Sequence, residues 1–304
     1  MSNVTSKRSK VGGTALALFV FAGNMTAVGK GNLFELCAAT VAGAFALAVA
    51  AYAATFVFGR EGKKGFFFIL LSLVTVASAI FVAAETVSEL AFFVGEAVLP
   101  RLPWLLAGAL LIALSSYLAS KGAVAVKKFS LIAFVWVSMS VLLLFLLSLR
   151  SFKSDGATEL LSSAREFTVR GSADAFAKIF APAVIAVIYI SASRDGGGAV
   201  GSALGGALLA VCFLNVLLLL GSDVGETEAY PYATAVSTVT SGKIFARMEG
   251  FVYLICCAAA TVRVSVCLSL VSVLAEKVIG KRLSFIPYAS GIVLLLVTAA
   301  TVAA

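Results

Sequence analysis

Apolar runs long enough to cross a bilayer recur along the whole chain, separated only by short breaks rich in Gly, Lys, Arg, Asp or Pro. In lipid a backbone must satisfy its own polar groups, and a hydrocarbon core of about 30 Å takes roughly 20 helical residues per crossing. The runs fall at 11–28, 34–59, 65–99, 103–120, 124–149, 173–193, 199–221, 244–275 and 283–304. They predict an all-α membrane protein with about nine transmembrane helices. Composition excludes the alternative. With 61% hydrophobic and 12% charged residues and a mean hydropathy of +1.08, a water-soluble core would have no means of hiding the apolar surface. Residues 1–304 read as one polytopic domain, with a first half at 11–150, an external loop at 151–172 and a second half at 173–304.

Loop charge orients the spans, because cytoplasmic loops collect Lys and Arg. The net charge of +8 is clustered beside spans, a pattern of membrane topology and not of nucleic-acid binding. Basic residues gather at Lys7, Arg8 and Lys10, at Arg60, Lys63 and Lys64, at Lys121, Lys127 and Lys128, and at Lys277, Lys281 and Arg282. These four clusters share one side when nine spans are threaded, and the acidic segment Asp223, Glu226 and Glu228 falls on the other. The expected topology has the N-terminus in the cytoplasm and the C-terminus outside. No small-residue cleavage site follows the first apolar run, so it is read as an uncleaved span and not as a signal peptide. The third run, 35 residues long, would reach about 50 Å as a helix; it and the eighth are expected to tilt or project. A short helix or re-entrant stretch at 230–240, opened by Pro231, is expected before the eighth span.

Chemistry is narrowed by what the chain lacks. It contains no histidine, which removes imidazole bases, most zinc sites and Ser-His or Cys-His nucleophiles. Its cysteines, Cys37, Cys212, Cys256, Cys257 and Cys267, lie in apolar runs without a C-x-x-C pair and read as packing residues. The expectation is a protein that is not an enzyme, with no cofactor and no metal. Gly196, Gly198 and Gly201 match G-x-G-x-x-G, but no strand precedes them; Gly201 and Gly205 are read instead as a close-packing face of the seventh span.

Charge inside an apolar run is costly unless paired or hydrated, and so marks candidate sites. Glu85 and Glu89 share a face of the third span, and Arg263 lies in the middle of the eighth. A carboxylate paired with Arg263 would either fix helix register or serve as an ion relay or a surrogate for a bound cation. Two helix interruptions add backbone groups that a ligand would reach at bilayer depth. One is Gly23-Asn24-Met25 in the first span; the other is Pro182 in the sixth, which removes an interior hydrogen bond. They occupy corresponding positions in the two halves.

Three stretches then carry a resemblance. Leu99-Pro-Arg-Leu-Pro-Trp104 and the segment from Ser116 through Lys121-Gly122 form the first; Glu89 precedes it. Tyr230-Pro-Tyr-Ala-Thr234 is the second, and Phe245-Ala-Arg-Met-Glu249 with Val262-Arg-Val-Ser-Val266 the third. Over roughly residues 65 to 280 the chain resembles the spore germination permease-like family, the GerAB-type B subunits of germinant receptors in the amino acid–polyamine–organocation superfamily.

The resemblance implies a broken-helix, inverted-repeat transporter (LeuT/APC-like) fold with the last helix missing. It implies a site for an amino-acid-like nutrient near the first, third, sixth and eighth spans. Gly23, Asn24, Pro182, Glu89 and Arg263 are the candidate ligand-side residues, and Arg247 with Glu249 a turn-fixing structural pair. The implied partners are an A-type membrane subunit and a C-type lipoprotein in the cytoplasmic or spore inner membrane. The chain departs from the family in having no proline after Gly23 to Thr26 and neither glycine nor acid in Pro182-Ala-Val-Ile185. The alternatives are a secondary amino acid or polyamine transporter and a subunit that only assembles others.

Overall fold

The computed structural model describes residues 3–23, 32–58, 66–98, 103–149, 168–180, 182–192, 198–221, 228–239, 249–281 and 283–303. Among them every regular element is helical: α1 (Asn3–Ala22), α2 (Leu33–Phe58), α3 (Phe66–Phe93), α4 (Trp104–Ser120), α5 (Ala123–Ser148), α6 (Val169–Phe180), α7 (Ala183–Ala192), α8 (Gly198–Leu220), α9 (Pro231–Ser237), α10 (Glu249–Ile279) and α11 (Ile286–Ala303). A π-helical turn, Val94–Val98, continues α3.

Five helices, α2, α3, α5, α8 and α10, are long and apolar enough to cross a membrane. The pair α6–α7 makes a sixth candidate, bent by 53° at the break that holds Pro182. The apolar parts of α1, α4 and α11 are shorter, each between 10 and 17 residues. Outward faces carry bare apolar side chains such as Phe45, Tyr52, Phe66, Ile132 and Leu296, as lipid contact requires. The short helix or re-entrant stretch expected at 230–240 is a short helix, α9, with Pro231 in its first turn where the missing N–H costs no helix bond. Cys212, Cys256 and Cys267 are buried as packing residues, whereas Cys37 is exposed.

The long α10 is the axis of the bundle: α1, α3, α4, α5, α7, α9 and α11 all pack on it. Within it, residues 259–271 are buried without interruption. A second enclosed element is α1, whose residues Ala15 through Phe21 are at most 1% exposed. A helix buried on every face has no amphipathic stripe and must be surrounded by partners; α5, α7, α8 and α10 supply them.

Glycine sets the tightest of these contacts. A Cβ on Gly201 would overlap the backbone of Gly13, and one on Gly205 would lie 2.5 Å from the Ala17 carbonyl oxygen. Gly206 does the same toward Thr40 of α2. In lipid, helices gain little from burying apolar surface and associate through such backbone approach.

Polar side chains fix the remaining geometry. Thr168 caps α6, its Oγ1 accepting from the Gly171 N–H at 3.0 Å. Glu35, in the first turn of α2, accepts from the Thr168 N–H at 3.0 Å and from its hydroxyl at 2.6 Å. The α2 and α6 starts are thereby stapled. Thr168→Ala is expected to lower stability by about 1 kcal/mol, the usual worth of an N-cap. Thermal unfolding in detergent would read it, and an unchanged melting temperature would refute the cap. Between α5 and α8, the buried Ser148 hydroxyl donates to Asn215 Oδ1 at 2.6 Å. Gly122, at φ 89°, makes the tight turn from α4 to α5 that a side chain would strain.

Candidate functional site

The enclosed part of α1 ends at Ala22, where Gly23 turns the chain away. A helix end leaves its last carbonyls without intrahelical partners and carries partial negative charge. Arg263, midway along α10, is only 4% exposed and brings its cation to this end. Its guanidinium carbon stands 5.0 Å from the centroid of the Phe19 ring. Its Nη1 lies so close to Gly23 that a Cβ there would overlap it. Gly23 is therefore the residue that lets the guanidinium approach the α1 backbone.

Two carboxylates face the same region. Glu89, half-buried, and Glu85, exposed, project from α3, which runs along α10. Both act electrostatically on Arg263. One guanidinium atom, Nε, is buried and has no hydrogen-bond partner among the described residues. An unsatisfied N–H on a buried cation is costly and demands an explanation. Pro182 stands at the start of α7, a helix that packs on both α1 and α10. Pro182 is half-buried, and its carbonyl accepts from the Ile185 N–H at 3.1 Å to start α7.

Of the sequence candidates, Gly23 and Arg263 thus touch, Glu89 acts on Arg263 at range, and Pro182 marks the bend between α6 and α7. Asn24 and Arg247 lie outside the described residues. Glu249 opens α10, and its side chain is likewise outside the described part. Among the described residues no cluster of His, Cys, Asp and Glu has a metal-binding arrangement.

Sequence reasoning missed the second half of the environment. At the end of α3, Phe93 sits 4.6 Å from the Tyr230 ring and 5.1 Å from that of Tyr253. The Tyr230 hydroxyl donates to Glu96 Oε2 in the π-helical turn at 3.2 Å. Burial, with the neighbouring Glu96 carboxylate, pushes the Tyr230 phenol up to about 12, so it remains a donor across the physiological range. Phe19 was missed as well, since a phenylalanine in an apolar run has no pattern that marks it as a cation platform. Asn215, a lone amide within an apolar run, was a visible signal.

Compared with protein-family models and with curated proteins, the chain matches none.

Proposed function

We propose that the chain is a permease-like membrane subunit of a spore germinant receptor, which binds a small amino-acid-like nutrient and signals through an A-type membrane subunit and a C-type lipoprotein in the spore inner membrane. The observation that carries the ligand class is the buried Arg263 with an Nε–H that lacks an acceptor among the described residues, placed at the end of α1. A ligand carboxylate is the acceptor such a group calls for, and charge-assisted bonds of this kind are strong. The Glu89 and Glu85 carboxylates beside it suit the ammonium of the same molecule. A buried cation with carboxylates acting on it complements a zwitterion.

The packing supports an inverted-repeat architecture. In a five-helix repeat the second copy enters the membrane from the opposite side, and helices near the pseudo-two-fold axis meet their own counterparts. Taking α6–α7 as one bent span, α1 packs on α7, α2 on α8, α3 on α10 and α4 on α11, each pair five spans apart. The interruptions at Gly23 and Pro182 are counterparts by the same count. This packing supports reading about nine spans in a LeuT/APC-like arrangement, and the basic loops support placing the N-terminus inside.

Binding is tested with the purified chain in nanodiscs against a panel of amino acids, each compared with its methyl ester and its N-acetyl derivative. The intact zwitterion should raise the melting temperature, and blocking either charged group should remove the rise. Spores lacking the protein that germinate normally on every nutrient would refute the receptor reading. The 53° bend of α6–α7 also suits alternating access, so a secondary amino acid or polyamine transporter is the second reading. Accumulation of a labelled amino acid in proteoliposomes would favour it.

A further inference from the structure

The C-terminal half of α10 borders a cavity of about 170 Å³, where the C-terminal ends of α4 and α10 meet the first turns of α5 and α11. It is well below the roughly 300–1,000 Å³ of pockets for drug-sized ligands, so its occupant is a small group. Ser120, Ser269, Ser272 and Ser284 line it with hydroxyls, and Glu276 adds a carboxylate; among the described residues no Lys or Arg lines it. Two hydroxyls have their hydrogens committed: Ser120 donates to the Tyr117 carbonyl at 2.7 Å, and Ser272 to the Leu268 carbonyl at 3.0 Å. Their lone pairs remain to accept, though Ser120 also contacts the Tyr288 hydroxyl at 3.0 Å. Ser269 is 2% exposed; among the described residues its Oγ has no hydrogen bond of good geometry, and the Tyr189 phenol interacts with it. The nearby Lys121 ammonium is held over the Tyr117 ring, 5.1 Å from its centroid.

From this geometry we infer that the cavity is a binding site for a primary ammonium group. Such a group has three donors and a full positive charge; the described lining offers acceptor oxygens and a carboxylate to meet them. A bare alkali ion would need ligands at bonding distance on all sides, which a space of this size does not give. A primary ammonium on a short chain fills it. The lining residues sit at helix ends, the level at which lipid headgroups lie, so the ammonium comes either from a phosphatidylethanolamine headgroup or from a free amine. The site lies between Arg263, at the middle of α10, and the C-terminal end of that helix, and none of its lining residues belongs to the proposed nutrient site.

The test measures thermal stability of the full chain in phosphatidylcholine nanodiscs with ethanolamine added, and separately in nanodiscs containing phosphatidylethanolamine. A rise with free ethanolamine assigns a soluble amine, and a rise only with the lipid assigns the headgroup. Glu276→Gln should weaken the effect roughly tenfold or more in apparent affinity, since it removes the charge from a charge-assisted bond. Glu276 is exposed, so the variant should fold as the parent does. Ser269→Ala provides the second readout. Removing a hydroxyl that meets only the Tyr189 phenol should change the melting temperature of the ligand-free protein little, yet reduce the response to the amine. No response to either amine source, or a response undiminished by Glu276→Gln, would overturn the inference. Equal stabilisation by tetramethylammonium, which has no N–H to donate, would overturn it too.

Discussion

Gly201→Val is expected to leave little or no correctly packed protein. The added Cβ would coincide with the backbone of Gly13, and two helix backbones cannot both give way without separating along their length. Separation would open the neighbouring contact of Gly205 with Ala17 and strip α8 from the stretch Ala15 to Phe21, all of it buried. Overpacking a core with side-chain neighbours costs about 1–3 kcal/mol. Here the neighbour is backbone, so the loss should exceed that range and approach the whole margin of a marginally stable fold. Gly250→Ala is the matched control. Nothing lies within 4 Å of its built Cβ in α10, and alanine favours the helix by about 0.5–1 kcal/mol. The measurement is the yield of monodisperse protein with its melting temperature. A Gly201→Val protein as stable as the parent would mean that α8 does not meet α1 through this face.

That contact was legible in part before the structure. The spacing of Gly201 and Gly205 marks a close-packing face, because small residues four apart lie on one side of a helix. What spacing does not contain is the partner, and α1 is reached only through the fold. The same limit applies at the candidate site. Arg263 announces itself as a charge in an apolar run, and Gly23 as a weak point in a helix, since each violates a local rule. Their contact joins residues 240 positions apart, and nothing local encodes it. Phe19 was silent because it obeys the local rule, being apolar in an apolar helix. Tyr230 and Glu96 sit at element ends, where polarity is ordinary, and only the π-helical turn after α3 turns them toward each other. Helix positions follow from hydropathy; which faces meet depends on long-range packing that hydropathy does not carry.

Arg263 provides the sharpest separation of stability from function. Arg263→Ala should destabilise the protein by about 2–5 kcal/mol, the usual cost of truncating a large buried side chain and leaving a cavity. It removes the cation at the end of α1, the face over Phe19 and the positive field felt by Glu89. Arg263→Met restores most of the lost volume with an apolar chain, and such replacements of buried charge are often neutral. It should therefore recover much of the melting temperature and none of the amino-acid response, because no donor remains for a carboxylate. Gly23→Ala approaches the same point from the other side. Its methyl displaces the tip of a flexible side chain and not a backbone, so the fold should lose about 1 kcal/mol at most while the guanidinium leaves its place over Phe19. Melting temperature and zwitterion response, measured together on the three variants in nanodiscs, decide the matter. A response retained in Arg263→Met would show that the buried cation is structural and that the nutrient carboxylate is held elsewhere.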